Sequence, residues 1–175
     1  YADEPAAYRD EQKLIVDDIY HVLHHLYHHD VVLTADGAIY KRNLVQLLDR
    51  LSAKEEPVAR EAWRFGYGRK YRDLPSRFSL IYDYCYYQEL LTEQPGRLEL
   101  TEKGQQIVLE GRREDLSQVY RFWLKLYKNP IQNLQSLVFW IAKLATNWVS
   151  SRSLGEVLCP LIRPFYYDSP ESIFE

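Results

Sequence analysis

Apolar residues at helical spacing organise most of the chain. Between Glu11 and His29, the residues Ile15, Ile19, Val22, Leu23 and Leu26 recur every three or four positions, with Asp and His on the opposite face. That pattern predicts an amphipathic helix. Val31-Val32-Leu33-Thr34 is brief, β-branched and followed by the Asp36-Gly37 turn signal, so a short strand is expected. The helical period returns from Ile39 to Leu51 through Leu44, Leu47, Leu48 and Leu51. Residues 53–75 break it, because Pro57, Gly66, Gly68 and Pro75 punctuate a stretch of alternating aromatic and basic side chains. This stretch reads as an ordered loop insertion. Ser76 is expected to cap a third helix by accepting a backbone N–H, with Leu80, Ile81, Tyr84, Gln88 and Leu91 at helical spacing and an end near Thr92.

The sequence Gln94-Pro95-Gly96-Arg97 then suits a type II turn, with Pro preset at the second position and Gly free to take positive φ at the third. Leu90-Leu91-Thr92 and Leu98-Glu99-Leu100-Thr101 flank it as two strands of a wing, and Thr101 is placed to cap a helix to about Glu110. Beyond Gly111, the residues Leu116, Val119, Tyr120, Trp123, Leu124 and Tyr127 predict a helix that ends at Asn129-Pro130. Another is predicted from Ile131 to Ala145, followed by a short strand at Trp148-Val149-Ser150. Ser153 and Glu156 match a capping box, opening a last helix interrupted by Pro160 and Pro164. Helix, strand, helix thus occurs at 11–52 and again at about 131–159, an internal repeat carried by order and capping rather than by matched letters.

The expected fold class is mainly α with a small β wing (α+β): a winged helix-turn-helix, followed by additional helices that open a second winged-helix unit. The organisation is an N-terminal extension at 1–10, a winged-helix domain at 11–111 carrying the insertion at 53–75, and a helical region at 112–175. A chain of 175 residues with 46% apolar content is long enough to bury such a core. It starts at Tyr1 and contains no Met, and is read as a fragment of a larger protein.

No apolar run approaches the roughly 18 residues a membrane span needs, and no secretory leader pattern is present. Cys85 and Cys159 sit far apart in apolar helical patterns, which implies buried thiols in a reducing compartment and a cytoplasmic location. The net charge of −3 gives no global attraction for nucleic acid, so any such site must be local. Charge is uneven, however. Residues 1–30 hold seven acids against Arg9 and Lys13, whereas residues 60–77 hold six bases against Glu61 and Asp73.

Two stretches, Leu33-Thr34-Ala35-Asp36-Gly37-Ala38-Ile39-Tyr40-Lys41-Arg42-Asn43-Leu44 and Leu98-Glu99-Leu100-Thr101-Glu102-Lys103-Gly104, with the later Trp148-Val149-Ser150, resemble a known pattern. They are similar to the helicase-associated winged-helix region found beside the motor in bacterial XPB-type helicase-like proteins. The insertion at 60–72 departs from that pattern. No phosphate-binding G-x-x-x-x-G-K-[ST] loop is present, so any ATPase or helicase activity would lie outside this chain. The resemblance implies a non-catalytic module that binds nucleic acid, DNA rather than RNA, or docks beside a helicase-like motor.

Candidate nucleic-acid contacts are Arg60, Arg64, Arg69, Lys70, Arg72 and Arg77 for phosphates, with Trp63, Phe65, Tyr67 and Tyr71 offering faces for base stacking. Lys41, Arg42 and the wing-tip Arg97 add to them. The competing account is that the aromatics pin the loop to the core while the arginines pair with Glu55, Glu56, Glu61 or Asp73. The third helix is expected to present Tyr82, Asp83, Tyr86, Tyr87 and Glu89 outward, which disfavours a DNA groove and makes Tyr82, Tyr86 and Tyr87 the surface of an alternative protein-interaction module. All five histidines lie in the first helix. Residues His21, His25 and His28, with Asp17, form a stripe of weak metal-ligand candidates on a face expected to be open to water. A metal-dependent hydrolase built on that stripe is the third alternative; no cofactor is expected and no nucleophile–base set can be assembled.

Overall fold

In the computed structural model, residues 3, 5–8, 10–59, 66–131 and 133–161 are described. The chain divides into two compact units, Glu11–Tyr120 and a second made of Tyr1–Asp10 and Arg121–Glu175. Both are mainly helical, and the first contains a small antiparallel sheet, so the chain is α+β.

The first unit follows the order α1 (Leu14–His28), β1 (Val31–Val32), α2 (Lys41–Arg50), α3 (Ser76–Tyr87), β2 (Leu91–Gln94), β3 (Arg97–Leu100) and α4 (Glu102–Glu110). The predicted helices are present with shorter ends. Helix α1 buries Val16, Ile19, Val22, Leu23 and Leu26, and α2 buries Leu44, Leu47 and Leu48. Each such side chain contributes on the order of 2 kcal/mol on leaving water. Ile39 lies outside α2, forming an isolated bridge with Leu33.

The three strands take the order β1-β3-β2, with Val32 opposite Arg97 and Leu91 opposite Leu100. The turn between β2 and β3 is the expected one, with Gly96 at φ +78. The Thr101 side chain accepts from Gly104 N at 3.1 Å, as its capping role requires, and donates to the Glu89 carbonyl at 2.5 Å. Gly104 is forced by close packing, since a Cβ there would lie 2.0 Å from the Leu90 carbonyl oxygen.

Helix α3 differs from expectation at both ends. Its first residue is Ser76 itself, with Pro75 at the cap and no side-chain cap of its own. The orphan N–H groups of Arg77 and Phe78 instead donate to the two Glu55 carboxylate oxygens, at 2.9 and 2.8 Å. A carboxylate there also opposes the positive end of the helix dipole. The helix stops at Tyr87 rather than near Thr92, because Glu89 turns into a left-handed conformation (φ +57) that frees Leu91 to start β2.

Helix α5 (Leu116–Tyr127) has the predicted limits. In the second unit, α6 (Leu134–Leu144) and α7 (Ser151–Leu158) are followed by a 3-10 turn at Cys159–Leu161. Leu137 and Leu158 are buried together, with Ile141 and Leu154 packed against them, and Tyr8 meets Trp148 edge-on at 5.1 Å. Trp148-Val149-Ser150 forms no strand, since Ser151 enters α7 at once and no strand pairs with the segment among the described residues. The Ser153–Glu156 capping box is absent too. Helix α7 begins two residues before Ser153, and Glu156 pairs with Arg152 at 3.4 Å. Without that strand and box, the proposed internal repeat loses its support. Pro164 lies outside the described residues, and no helix among those described is long and apolar enough to cross a membrane.

Candidate nucleic-acid interface

The loop leading into α3 places Gly68 and Arg69 against α3. The Asp83 carboxylate accepts from Arg69 N at 3.1 and 3.3 Å, and a Cβ on Gly68 would sit 1.9 Å from its oxygen. Only glycine tolerates that approach together with φ +139. Burial pushes the Asp83 pKa up to about 6, although the Arg69 N–H and guanidinium pull the other way.

Glu93 lies opposite Leu98 on the face of the sheet that carries Leu91, so its carboxylate needs partners. It accepts from Tyr82 Oη at 2.6 Å and Arg69 Nη2 at 3.3 Å, and lies 3.7 Å from Lys70 Nζ. The Arg69 guanidinium also stacks 3.9 Å from the centre of the Tyr86 ring, and Lys70 Nζ donates to the Gly37 carbonyl at 2.9 Å.

Arg77 serves a second buried carboxylate. Asp18, fully buried, accepts from Arg77 Nη1 at 2.5 Å, from Ser52 N at 2.7 Å and from Ala53 N at 3.3 Å, and lies 3.2 Å from His21 Nδ1. Burial would raise its pKa, but the Ser52, Arg77, Ala53 and His21 donors outweigh burial and hold it below the ordinary carboxylate value.

Among the described basic residues of this stretch, Arg69 and Lys70 pair with Glu93, and Arg77 pairs with Asp18 and Glu11. Arg72 is exposed and bonded to the Tyr71 hydroxyl at 3.3 Å, and Tyr67 is partly exposed. Arg60, Trp63, Arg64 and Phe65 lie outside the described residues.

The predicted outer face of α3 is also corrected. Tyr82 and Asp83 are buried, because the Gly68–Lys70 segment and the β2–β3 hairpin cover that side of the helix. Tyr86 is partly covered, and Tyr87 is exposed and edge-on to it at 5.4 Å. The histidine stripe is not open to water throughout, since His25 is only 5% exposed. Asp17 is committed to Arg113 at 2.9 Å. Among the described residues, no group of three or more His, Cys, Asp or Glu is arranged to hold a metal ion. Cys85 and Cys159 are buried, and burial raises the Cys85 pKa.

A different basic group forms around β1. Val32 N donates to Asn43 Oδ1 at 3.1 Å, its carbonyl accepts from Tyr40 N at 3.1 Å, and across the sheet it faces Arg97. One strand residue thus ties the start of α2 to β3. Lys41 and Arg42 are exposed and make no ion pair among the described residues, and Tyr40 is 49% exposed beside them. Arg97 pairs with Asp30 at 2.6 Å and Glu99 at 3.5 Å, both at the surface. Sequence reading selected Lys41, Arg42 and Arg97 but missed Tyr40 and Asn43. The available signal was an aromatic and an amide directly flanking a basic pair at a helix start. No protein-family model, curated protein or solved structure matches this chain.

Proposed function

We propose that Glu11–Tyr120 is a winged-helix module of the helicase-associated kind, which holds the phosphate backbone of nucleic acid, DNA in the first instance. The element order and the small β1-β3-β2 sheet support this reading, and the two longer stretches that carry the resemblance lie within this unit. The observation that carries the functional reading is Val32, bonded on one side to the start of α2 and paired on the other with Arg97. It gathers Lys41, Arg42 and Arg97 with the exposed ring of Tyr40. Cations neutralise phosphates, and a neighbouring ring offers a stacking face. The surface ion pair between Arg97 and Asp30 is worth at most about 1 kcal/mol, so a phosphate can displace Asp30 at small cost.

The test is fluorescence anisotropy with labelled single-stranded, duplex and forked DNA across a salt series. Binding should weaken with salt, and the double reversal Lys41→Glu and Arg42→Glu should remove it without lowering the melting temperature. Wild-type protein that binds none of the three at low salt, or a double variant that binds as well as wild type, would refute the reading.

A second reading, docking beside a motor or another protein partner, is favoured by α6. Its Phe139 and Trp140 are about half exposed and Leu144 is also exposed, and apolar surface of this kind marks interaction sites. In that case the chain binds no nucleic acid, and replacing Phe139 and Trp140 by Lys abolishes association with the partner.

A further inference from the structure

All five histidines of the chain line one groove. His21, His24, His25 and His28 of α1, with His29 just beyond it, face Arg50, the last residue of α2, around a cavity of about 650 Å³. Positions 21 and 25, 24 and 28, and 25 and 29 are each one helical turn apart. The rings of His24 and His28 meet at a tilt with centres 4.4 Å apart, and those of His25 and His29 at 4.5 Å.

Among the described residues, every one lining this groove is an imidazole or a guanidinium. Asp18, which meets His21 at 3.2 Å, is also held by Ser52, Ala53 and Arg77, and Asp30 and Glu99 pair with Arg97. His25 is nearly fully buried, yet neither of its ring nitrogens makes a hydrogen bond. A buried polar group in that state costs free energy, which a ligand accepting its N–H would recover.

Burial, reinforced by His29, Arg50 and His24, pushes the His25 pKa down to about 4. Burial and repulsion from His28, His21, Arg50 and His29 also lower that of His24. The groups facing the cluster are Arg50 from α2, Arg97 and Glu99 from β3 at the adjoining cavity, Asp30, and Asp18 and Tyr20 from α1 itself. Arg50 places a permanent positive charge on the groove wall, which opposes a bound metal cation. An anion reverses each repulsion. It draws protons onto the imidazoles, and both imidazolium nitrogens then donate.

We propose that the groove between α1 and the end of α2 is a proton-coupled binding site for a tetrahedral oxyanion of the phosphate class, held by Arg50 and the imidazole donors. A tetrahedral oxyanion accepts hydrogen bonds from several directions, which matches donors arriving from two helices. A phosphodiester of nucleic acid and a free phosphate present the same group, and this inference does not depend on the Lys41–Arg42 surface.

Isothermal titration of the full chain with sulfate, whose charge is constant across the histidine range, tests the coupling directly. Affinity should rise as pH falls from about 7.5 to about 5.5, by up to about tenfold per pH unit for each proton taken up. The imidazole proton resonances should titrate at higher pH when sulfate is present. Arg50→Gln should weaken binding at least about tenfold, and His28→Gln, nearer the surface, should flatten the pH dependence. Lys41→Glu with Arg42→Glu should leave sulfate binding unchanged, separating this site from the proposed DNA surface. Competition by oligothymidylate identifies a nucleic-acid phosphate as the occupant, and competition by inorganic phosphate alone identifies a free one. No sulfate binding near pH 5.5 by protein that NMR shows to be folded, binding indifferent to pH, or binding unaltered by Arg50→Gln overturns the proposal.

Discussion

Two basic regions of the first unit behave differently. The segment before and at the start of α3 contributes Arg69, Lys70 and Arg77, each held by a carboxylate of another element, two of them inside the fold's polar contacts with Glu93 and one on fully buried Asp18. The start of α2 contributes Lys41 and Arg42, which point no charge at any acid among the described residues. The first region is the denser in sequence, yet these three cations are already paired. A cation already paired in a partly desolvated place must break that pair before it meets a phosphate, whereas an exposed one sheds only water and counterions. What matters for recognition is how much each charge has already been neutralised by the fold.

Three measurements can break or sharpen that contrast. The largest effect is expected from Arg77→Met, which strips the guanidinium from Asp18 and leaves a buried carboxylate with backbone donors and His21 alone. A loss of roughly 3 kcal/mol in urea unfolding is expected, with DNA affinity per folded molecule unchanged; loss of binding without loss of stability would move Arg77 into the interface.

The next concerns Asp83, and the sign follows from the direction of its shift. Its folded pKa is raised from 3.8 to about 6, so its contribution to stability declines as pH rises through that window. His25 is lowered from 6.5 to about 4, so its contribution is lost as pH falls through nearly the same window. The two slopes oppose each other. Asp83→Asn removes the first and should leave a variant whose unfolding midpoint falls more steeply than that of wild type between about pH 6.5 and 4. Parallel pH profiles for the two proteins would show that Asp83 is not titrating there.

The smallest effect is expected from Asp30→Asn. Releasing Arg97 from an exposed pair should change stability by less than about 1 kcal/mol and modestly tighten DNA binding. Weaker binding instead would mean that Asp30 positions Arg97 rather than competing for it.

The helices and the β2–β3 hairpin were legible because their signals are local. Leucine spacing in α1 and α2, the Pro95-Gly96 turn and the Thr101 cap depend on neighbours a few residues away. The burial of α3 was not legible in the same way. Tyr82 and Asp83 look like outward polar positions until Glu93 and the Gly68–Lys70 segment return to cover them, and no periodicity within the helix reports that return. The same holds for the basic residues, since Glu93 and Asp18 lie 24 and 59 positions from the arginines they hold. The histidine stripe was visible as spacing, but Arg50, which closes the groove, belongs to another helix.

Glu55 bears on the order in which the chain folds. The first turn of α3 is completed by a carboxylate 22 and 23 positions upstream of the amides it holds, so this helix cannot finish its own beginning from local residues. The long connection must close first, at the entropic cost of bringing its ends together. Formation of α3 then belongs to the late, topology-limited stage of folding, while α1 forms early from its own sequence. Glu55→Ala should accordingly accelerate unfolding far more than it slows folding, giving a φ-value near zero by stopped-flow kinetics. A value near one would mean that the connection is already closed when the rest of the unit assembles.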